Sequence, residues 1–360
     1  MSTPIETEGA AGEPVDAAVA QQPIVEDARP HRWSLSKRIA FRLAFCYLGG
    51  YCIFNGNVTV WNVVPEIGPR FADILARMFS LPAQYLAGHL FHVAPPGDRL
   101  HGTGSGDTSI NWIVLLLLFA VSVIATAVWS ALDRKRPHYQ TLEAWLRFVI
   151  RLTLGLGMVV YGLDKIFPLQ MPRPSVSSLA EPFGMHSPMA LLWNFIGLNP
   201  LYEMVCGAVE FLAGAMLLVR RTALAGAIFS TFVVANVVLY NFFFDVPVKI
   251  YSAHLLLLAL FVILPDAKAL FQFFWRHEPA VPTGVWVPPA KRRWFKRATL
   301  IVEVAFVALA VGETAFGSGL YWVRHHKEIA AAEHCELCRA WRVELAAPAT
   351  GGAALPDPFG

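Results

Sequence analysis

Several ionisable side chains stand inside or beside long apolar stretches, where a charge is costly unless it has a partner or a function. Glu210 lies near the middle of one such stretch, and Asp164 and Lys165 close another. The other polar residues of this kind follow one another along the chain: Asn236, Tyr240, Asn241, Asp245, Lys249, Tyr251 and His254. If these side chains converge, they form a pocket where a carboxylate and an imidazole move protons and amides bind an oxygen.

The pocket hypothesis assigns a role to each residue. We predict that Glu210 and His254 exchange protons, and that Lys165 or Lys249 holds an anion. Asn241 would donate a hydrogen bond to a carbonyl or quinone oxygen. The predicted substrate- or quinone-binding residues are Asp164, Lys165, Asn241, Asp245 and Lys249. The alternative is that the charged residues form ordinary interfacial ion pairs and that the asparagines hold helices together.

A pair of cysteines follows the last apolar stretch, in the sequence His334-Cys335-Glu336-Leu337-Cys338. In an oxidising compartment, Cys335 and Cys338 could form a disulfide or a catalytic dithiol. The histidine precedes the pair, so the sequence is not the signature of covalent haem attachment. Zinc would need two further ligands, and we predict no metal site. An incidental pair of cysteines is the alternative.

The composition indicates whether these residues lie in water or in a lipid bilayer. Of 360 residues, 56% are hydrophobic and 15% charged, whereas soluble domains carry about 25% charge. Apolar runs of about 20 residues without alternation indicate helices that cross a bilayer. The fold class is therefore an all-α polytopic membrane helix bundle, with the lipid bilayer as its main partner. The net charge of +3 is too small to indicate nucleic-acid binding.

About seven transmembrane helices are expected. The first, a signal anchor, begins near Ile39, and an amphipathic interfacial helix pair is predicted for 71–93. The six further spans are 110–132, 143–166, 201–219, 222–244, 250–265 and 298–317. With the amino terminus in the cytoplasm, most of the 29 Lys and Arg residues lie on the inner side. This distribution predicts a multi-pass protein of the plasma (inner) membrane with an extracytoplasmic carboxyl terminus.

The chain divides into six regions by composition. They are a disordered cytoplasmic tail (1–30), an amino-terminal membrane region (31–142), a four-helix core (143–272), a basic cytoplasmic connection (273–297), a last transmembrane helix (298–320) and an extracytoplasmic tail with the Cys-x-x-Cys (321–360). Within the core, a proline-rich outer loop at 168–200 contains an apolar segment too short to cross, which indicates a lid or a re-entrant segment.

Residues 148–266 resemble the DoxX family of small bacterial membrane proteins. The resemblance rests on three segments: Gly155-Leu-Gly-Met-Val-Val-Tyr-Gly-Leu-Asp-Lys165, then Gly207-Ala-Val-Glu-Phe-Leu-Ala-Gly214 with Arg220-Arg221, and finally 241–266. It implies a four-helix bundle in which Lys165 and Glu210 occupy positions of polar groups. Some members are linked to thiosulfate or thiol oxidation that feeds electrons to quinone. This chain differs from the family pattern by three further spans and its tail.

Three functions follow from these patterns. The first is an oxidoreductase component that relays electrons between an extracytoplasmic thiol or sulfur compound and quinone, with an extracytoplasmic redox partner. The second is a proton-coupled carrier with Glu210 as its midplane carboxylate. The third is a non-catalytic membrane scaffold that binds a partner complex through the outer loop and the tail.

Overall fold

The structure is a computed structural model that describes residues 32–54, 67–92, 106–281 and 293–333. Every regular element in these ranges is helical. In chain order the α-helices are α1 (Leu35–Phe54), α2 (Ile67–His89), α3 (Ser109–Leu132), α4 (Gln140–Ile166), α5 (Val176–Ala180), α6 (Pro188–Gly197), α7 (Pro200–Leu218), α8 (Ala223–Phe243), α9 (Lys249–Ile263), α10 (Ala267–Arg276) and α11 (Arg293–Glu333). The tail 1–30, residues 282–292 of the basic connection, and both Cys335 and Cys338 lie outside the described residues.

Six of the described helical segments are long and apolar enough to cross a membrane, which confirms the predicted helical membrane bundle. They are Ser109–Leu132, Gln140–Ile166, Pro200–Leu218, Ala223–Phe243, Lys249–Arg276 and Glu303–Arg324. The predicted first span, α1, is absent from this set. It is 20 residues long, but Lys37, Arg38 and Arg42 lie in its first half.

Helices α4, α7, α8 and α9 form the core of the bundle, with α4 at its centre. Glycines bring α4 and α7 together: a Cβ atom at Gly207 would lie 2.6 Å from the Gly162 carbonyl oxygen, and one at Gly214 would lie 2.7 Å from the Gly155 oxygen. Small residues let membrane helices approach this closely. Van der Waals packing then stabilises the contact, because the hydrophobic effect does not drive helix association within lipid. These glycines therefore serve close helix packing.

One end of the bundle, here called the basic end, joins α1 to the connection between α3 and α4. The Arg42 guanidinium is buried and donates hydrogen bonds to the Tyr139 hydroxyl, the Ser130 hydroxyl and the Asp133 carbonyl oxygen. The Tyr139 hydroxyl in turn donates to the Asp133 carboxylate at 2.9 Å. These contacts explain how a helix with so many basic residues packs against apolar neighbours.

The opposite end, here called the loop end, contains residues 167–199 and the start of α9. The Asp107 carboxylate, which precedes α3, accepts hydrogen bonds from the backbone N–H groups of Lys249 (2.6 Å) and Ile250 (2.9 Å). A carboxylate at this position satisfies free N–H groups and complements the helix dipole. It fixes the start of α9 next to the start of α3.

Two elements differ from the sequence prediction. The predicted helix pair at 71–93 is one helix, α2, which continues through the exposed Pro82. The predicted last span ended at 317, whereas α11 runs on to Glu333. Glu303 explains how this helix is held: its carboxylate pairs with Arg151 of α4 and with Arg220, 2.5 Å away, beside α7.

Candidate functional site

A cavity of about 60 Å³ lies inside the four-helix core, toward the loop end. Its walls are mostly apolar, and side chains from α4, α8 and α9 line it, among them Met158, Val234 and Leu255. Trp193 of α6 lines it from the loop segment. The volume exceeds the roughly 10–15 Å³ that one water molecule needs, so the cavity has room for several waters or part of a small ligand.

An ion pair between α4 and α7 borders this cavity. The Lys165 Nζ atom lies 2.6 and 2.5 Å from the two carboxylate oxygens of Glu210. Both residues are buried, at 7% and 6% exposure, so water screens neither charge. Each charge thus compensates the other, and the pair adds no net charge to the cavity.

Three neutral polar atoms of the cavity lining have no hydrogen-bond partner among the described residues: the Tyr251 hydroxyl, the Asn241 Nδ2 atom and the Gln170 Oε1 atom. Tyr251 and Asn241 are 5% and 3% exposed. Gly157 makes room for the Tyr251 hydroxyl, because a Cβ atom there would lie 2.9 Å from it. Since buried polar groups are nearly always hydrogen-bonded, these atoms are the groups that a bound ligand or water would satisfy.

The rim of the cavity at the loop end is held by Glu203, which is completely buried. Its Oε1 atom accepts hydrogen bonds from the backbone N–H groups of Gln170 (3.1 Å) and Met171 (3.0 Å). The Trp193 indole N–H donates to the Gln170 carbonyl oxygen at 2.9 Å. Sequence reasoning missed Glu203, because an acidic residue in the first turn of a helix is already explained by the helix dipole.

The predicted site residues fall into two groups. Lys165, Glu210 and Asn241 line the same cavity, as the pocket hypothesis requires. Asp245 and Lys249 instead pair with each other at 2.6 Å, four residues apart, with the Asp245 side chain 79% exposed. The structure therefore pairs Asp245 with Lys249, as the alternative of ordinary ion pairs describes.

Asp164 and His254 also lie away from the cavity lining. The Asp164 carboxylate accepts a hydrogen bond from the Ser318 hydroxyl of α11 at 3.0 Å. His254 is buried against α1, where its ring stacks on Tyr51 with 3.8 Å between the ring centres. Its Nδ1 atom donates to the Ile250 carbonyl oxygen at 2.7 Å, and its Nε2 atom lies 2.8 Å from the Tyr47 hydroxyl. Because a carbonyl only accepts, Nδ1 carries a proton.

No group of three or more histidine, cysteine or carboxylate side chains among the described residues could hold a metal ion. Cys335 and Cys338, the predicted dithiol, lie outside those residues, so no geometry is assigned to them.

Comparison with known proteins gives one relative. The chain is 32% identical over 131 residues to the uncharacterized protein YwoB of Bacillus subtilis (strain 168), a match that covers 36% of this chain and 81% of YwoB. No protein-family model matches the chain. No solved structure matches it either.

Proposed function

The chain belongs to the same family as YwoB of Bacillus subtilis, and from this premise we propose that it is a DoxX-like redox component of a bacterial plasma membrane. In this proposal it binds quinone in the core cavity and passes electrons to it from an extracytoplasmic thiol or sulfur compound. One observation carries the proposal: an apolar cavity between membrane helices, in which neutral hydrogen-bond donors have no partner among the described residues and lie beside a neutralised ion pair.

The chemistry of the lining suits a quinone head group better than a sulfur oxyanion. A quinone ring is flat, apolar and uncharged, and its carbonyl oxygens accept hydrogen bonds. The cavity offers apolar walls and two buried donors, the Tyr251 hydroxyl and the Asn241 amide. Among the described lining residues Lys165 is the one cation, and both oxygens of Glu210 already hold it. An anion would compete with that carboxylate for the Lys165 ammonium group.

The ion pair also supplies an acid–base group where quinone reduction needs one. Reduction of a quinone to a quinol consumes electrons and protons together. At the wall of the cavity, the Lys165 ammonium group donates a hydrogen bond to the Glu210 carboxylate and so holds a proton there. A proton given to the quinone from this pair would be replaced from the loop end, which we assign to the extracytoplasmic side.

The direction of α11 supports a dithiol as the electron donor. Glu303 lies beside Arg220, near the basic end, whereas Ser318 contacts Asp164 at the loop end of α4. Helix α11 therefore runs from the basic end toward the end of the bundle that contains the cavity. Oxidation of the Cys335 and Cys338 thiols to a disulfide releases electrons and protons, which balances quinone reduction.

A proton-coupled carrier is the second candidate, and the buried ion pair within the spanning helices favours it. Transporters place such groups near the bilayer midplane, where protonation changes the charge of the site. Uptake into vesicles that is driven by a proton gradient and lost on Glu210→Gln would support the carrier. Quinone binding by a protein that shows no gradient-driven uptake would support the redox component.

The test of the redox proposal is direct binding of a short-tailed quinone to the purified protein in lipid nanodiscs. Tyr251→Phe and Asn241→Leu each remove one donor from the cavity, and we expect each to weaken binding about tenfold. Tyr202→Phe is the matched control, because Tyr202 is 49% exposed and does not line the cavity. Unchanged affinity in both cavity variants would contradict the proposed site.

A further inference from the structure

A second carboxylate of α11, Glu313, stands in a place where membrane helices rarely carry an unpaired charge. It belongs to the candidate span Glu303–Arg324. From Glu303, which is anchored near the basic end, Glu313 lies about 15 Å further along the helix axis. That distance is half of a hydrocarbon layer of about 30 Å, so the carboxyl group sits near the middle of the bilayer.

The side chain of Glu313 is exposed, and no described residue forms an ion pair or hydrogen bond with it. Its exposed neighbours on the same face are apolar: Leu309 is 62% exposed and Phe316 is 74% exposed. The residues that hold α11 to the core, Glu303 and Ser318, point to α4 instead. In the isolated chain, the face around Glu313 is therefore turned toward lipid.

A carboxyl group in this position has an energetic cost, whether it is ionised or neutral, because lipid offers no hydrogen-bond partner. Ionisable groups at this depth face other helices and pair with them. Glu303 on the same helix follows that rule, since two arginines hold it. We propose that the Glu313 face of α11 is the docking surface for a transmembrane helix of another membrane protein, one that carries a lysine or arginine at mid-depth.

A second copy of this chain fits the surface poorly. The lysine and arginine side chains that lie inside the described bundle are Arg38, Arg42, Arg147, Arg151 and Lys165, and all five are buried. The described residues of a second copy would therefore bring no exposed cation to the depth of Glu313. Gly312, next to the carboxylate, has open space around its missing Cβ atom, which permits the close approach of a helix that packed membrane helices require.

The test uses synthetic transmembrane peptides as the probe, because their central residue can be varied alone. Polyleucine peptides with lysine, leucine or glutamate at the centre are reconstituted with the full-length protein in vesicles. Association is measured by energy transfer between dyes on the peptide and the protein. We expect the lysine peptide to bind about tenfold more tightly than the leucine peptide, since polar contacts between membrane helices reach that strength.

Two variants distinguish the effect of the Glu313 carboxylate from that of the apolar surface around it. Glu313→Leu removes the carboxylate from a face that packs against nothing, and we expect it to abolish the preference for the lysine peptide. Leu309→Ala, one turn away, keeps the charge and should keep that preference. Quinone binding by both variants reports an intact core.

Two results would overturn the proposal. One is equal binding of the lysine and leucine peptides. The other is self-association of the protein that Glu313→Leu removes, which would make a second copy the partner.

Discussion

Lys165 donates to both carboxylate oxygens of Glu210, at 2.6 and 2.5 Å, and both side chains are buried in the core. Each residue is therefore the only compensation that the other has within the described cavity lining. Breaking a buried pair on one side leaves an uncompensated charge, which costs more than the pair contributes when intact.

Removal of one partner should thus be worse than removal of both. We expect Glu210→Leu and Lys165→Met each to lower the free energy of unfolding by about 3–5 kcal/mol, and the double variant to recover most of that loss. Unfolding of the purified protein in nanodiscs, followed by circular dichroism, measures all three. Asp245→Asn breaks an exposed ion pair and serves as the control, with an expected loss of no more than about 1 kcal/mol. Additive single-variant losses would contradict a direct pairing.

The glycine contact between α4 and α7 predicts a second stability effect. A Cβ atom at Gly207 would meet backbone atoms at 2.6 and 2.7 Å, and backbone cannot move aside as a flexible side chain does. We expect Gly207→Ala to separate the helices and to lower the free energy of unfolding by about 1–3 kcal/mol. Since the two helices also position Lys165 and Glu210, quinone affinity should fall with stability.

The same substitution on α11 is the control for the glycine contact. Gly317 has no atom within 4 Å of its missing Cβ position. Gly317→Ala should therefore leave stability unchanged or raise it by up to about 1 kcal/mol, through its better helix propensity. Equal losses at Gly207 and Gly317 would mean that helix propensity, and not helix contact, governs both positions.

Some of this structure could be predicted from the sequence, because it depends on local composition. Apolar runs of about 20 residues predicted the membrane-spanning helices. Lys165, Glu210 and Asn241 were expected to converge, and they line one cavity. These three were identified because a polar residue in an apolar membrane helix nearly always faces the interior of the bundle.

The rest depended on how each helix is rotated and on contacts between distant segments. His254 was predicted to exchange protons with Glu210, but a helix turns by about 100° per residue. Tyr251 and Leu255 face the cavity, and His254 is consequently turned toward Tyr47 of α1. The Asp107 carboxylate accepts a hydrogen bond from the start of α9, although the two are far apart in sequence. Local sequence patterns do not predict such a contact.

The predicted tail can be tested by thiol labelling, which needs no knowledge of the substrate. Cys335 and Cys338 should react with a membrane-impermeant reagent on intact cells only after a reductant has been added, because an extracytoplasmic pair is oxidised. Cys335→Ser/Cys338→Ser is the control for reaction at the other cysteines, of which Cys52 is buried. Labelling that requires broken membranes would invert the proposed topology and place the cavity toward the cytoplasm.

The two tail cysteines should also act as a unit in catalysis. In the proposed cycle, a dithiol gives up electrons only when both sulfurs can join, so Cys335→Ser and Cys338→Ser should each reduce thiol-dependent quinone reduction to the level of the double variant. Cys206→Ser is the matched control, since Cys206 lies on α7 and outside the pair. Quinone binding should be unchanged in all four variants, because the cavity is formed by other residues. Full activity in either single variant would show that the dithiol has no part in the mechanism. The quinone site would still be tested separately, by the binding measurements on Tyr251→Phe and Asn241→Leu.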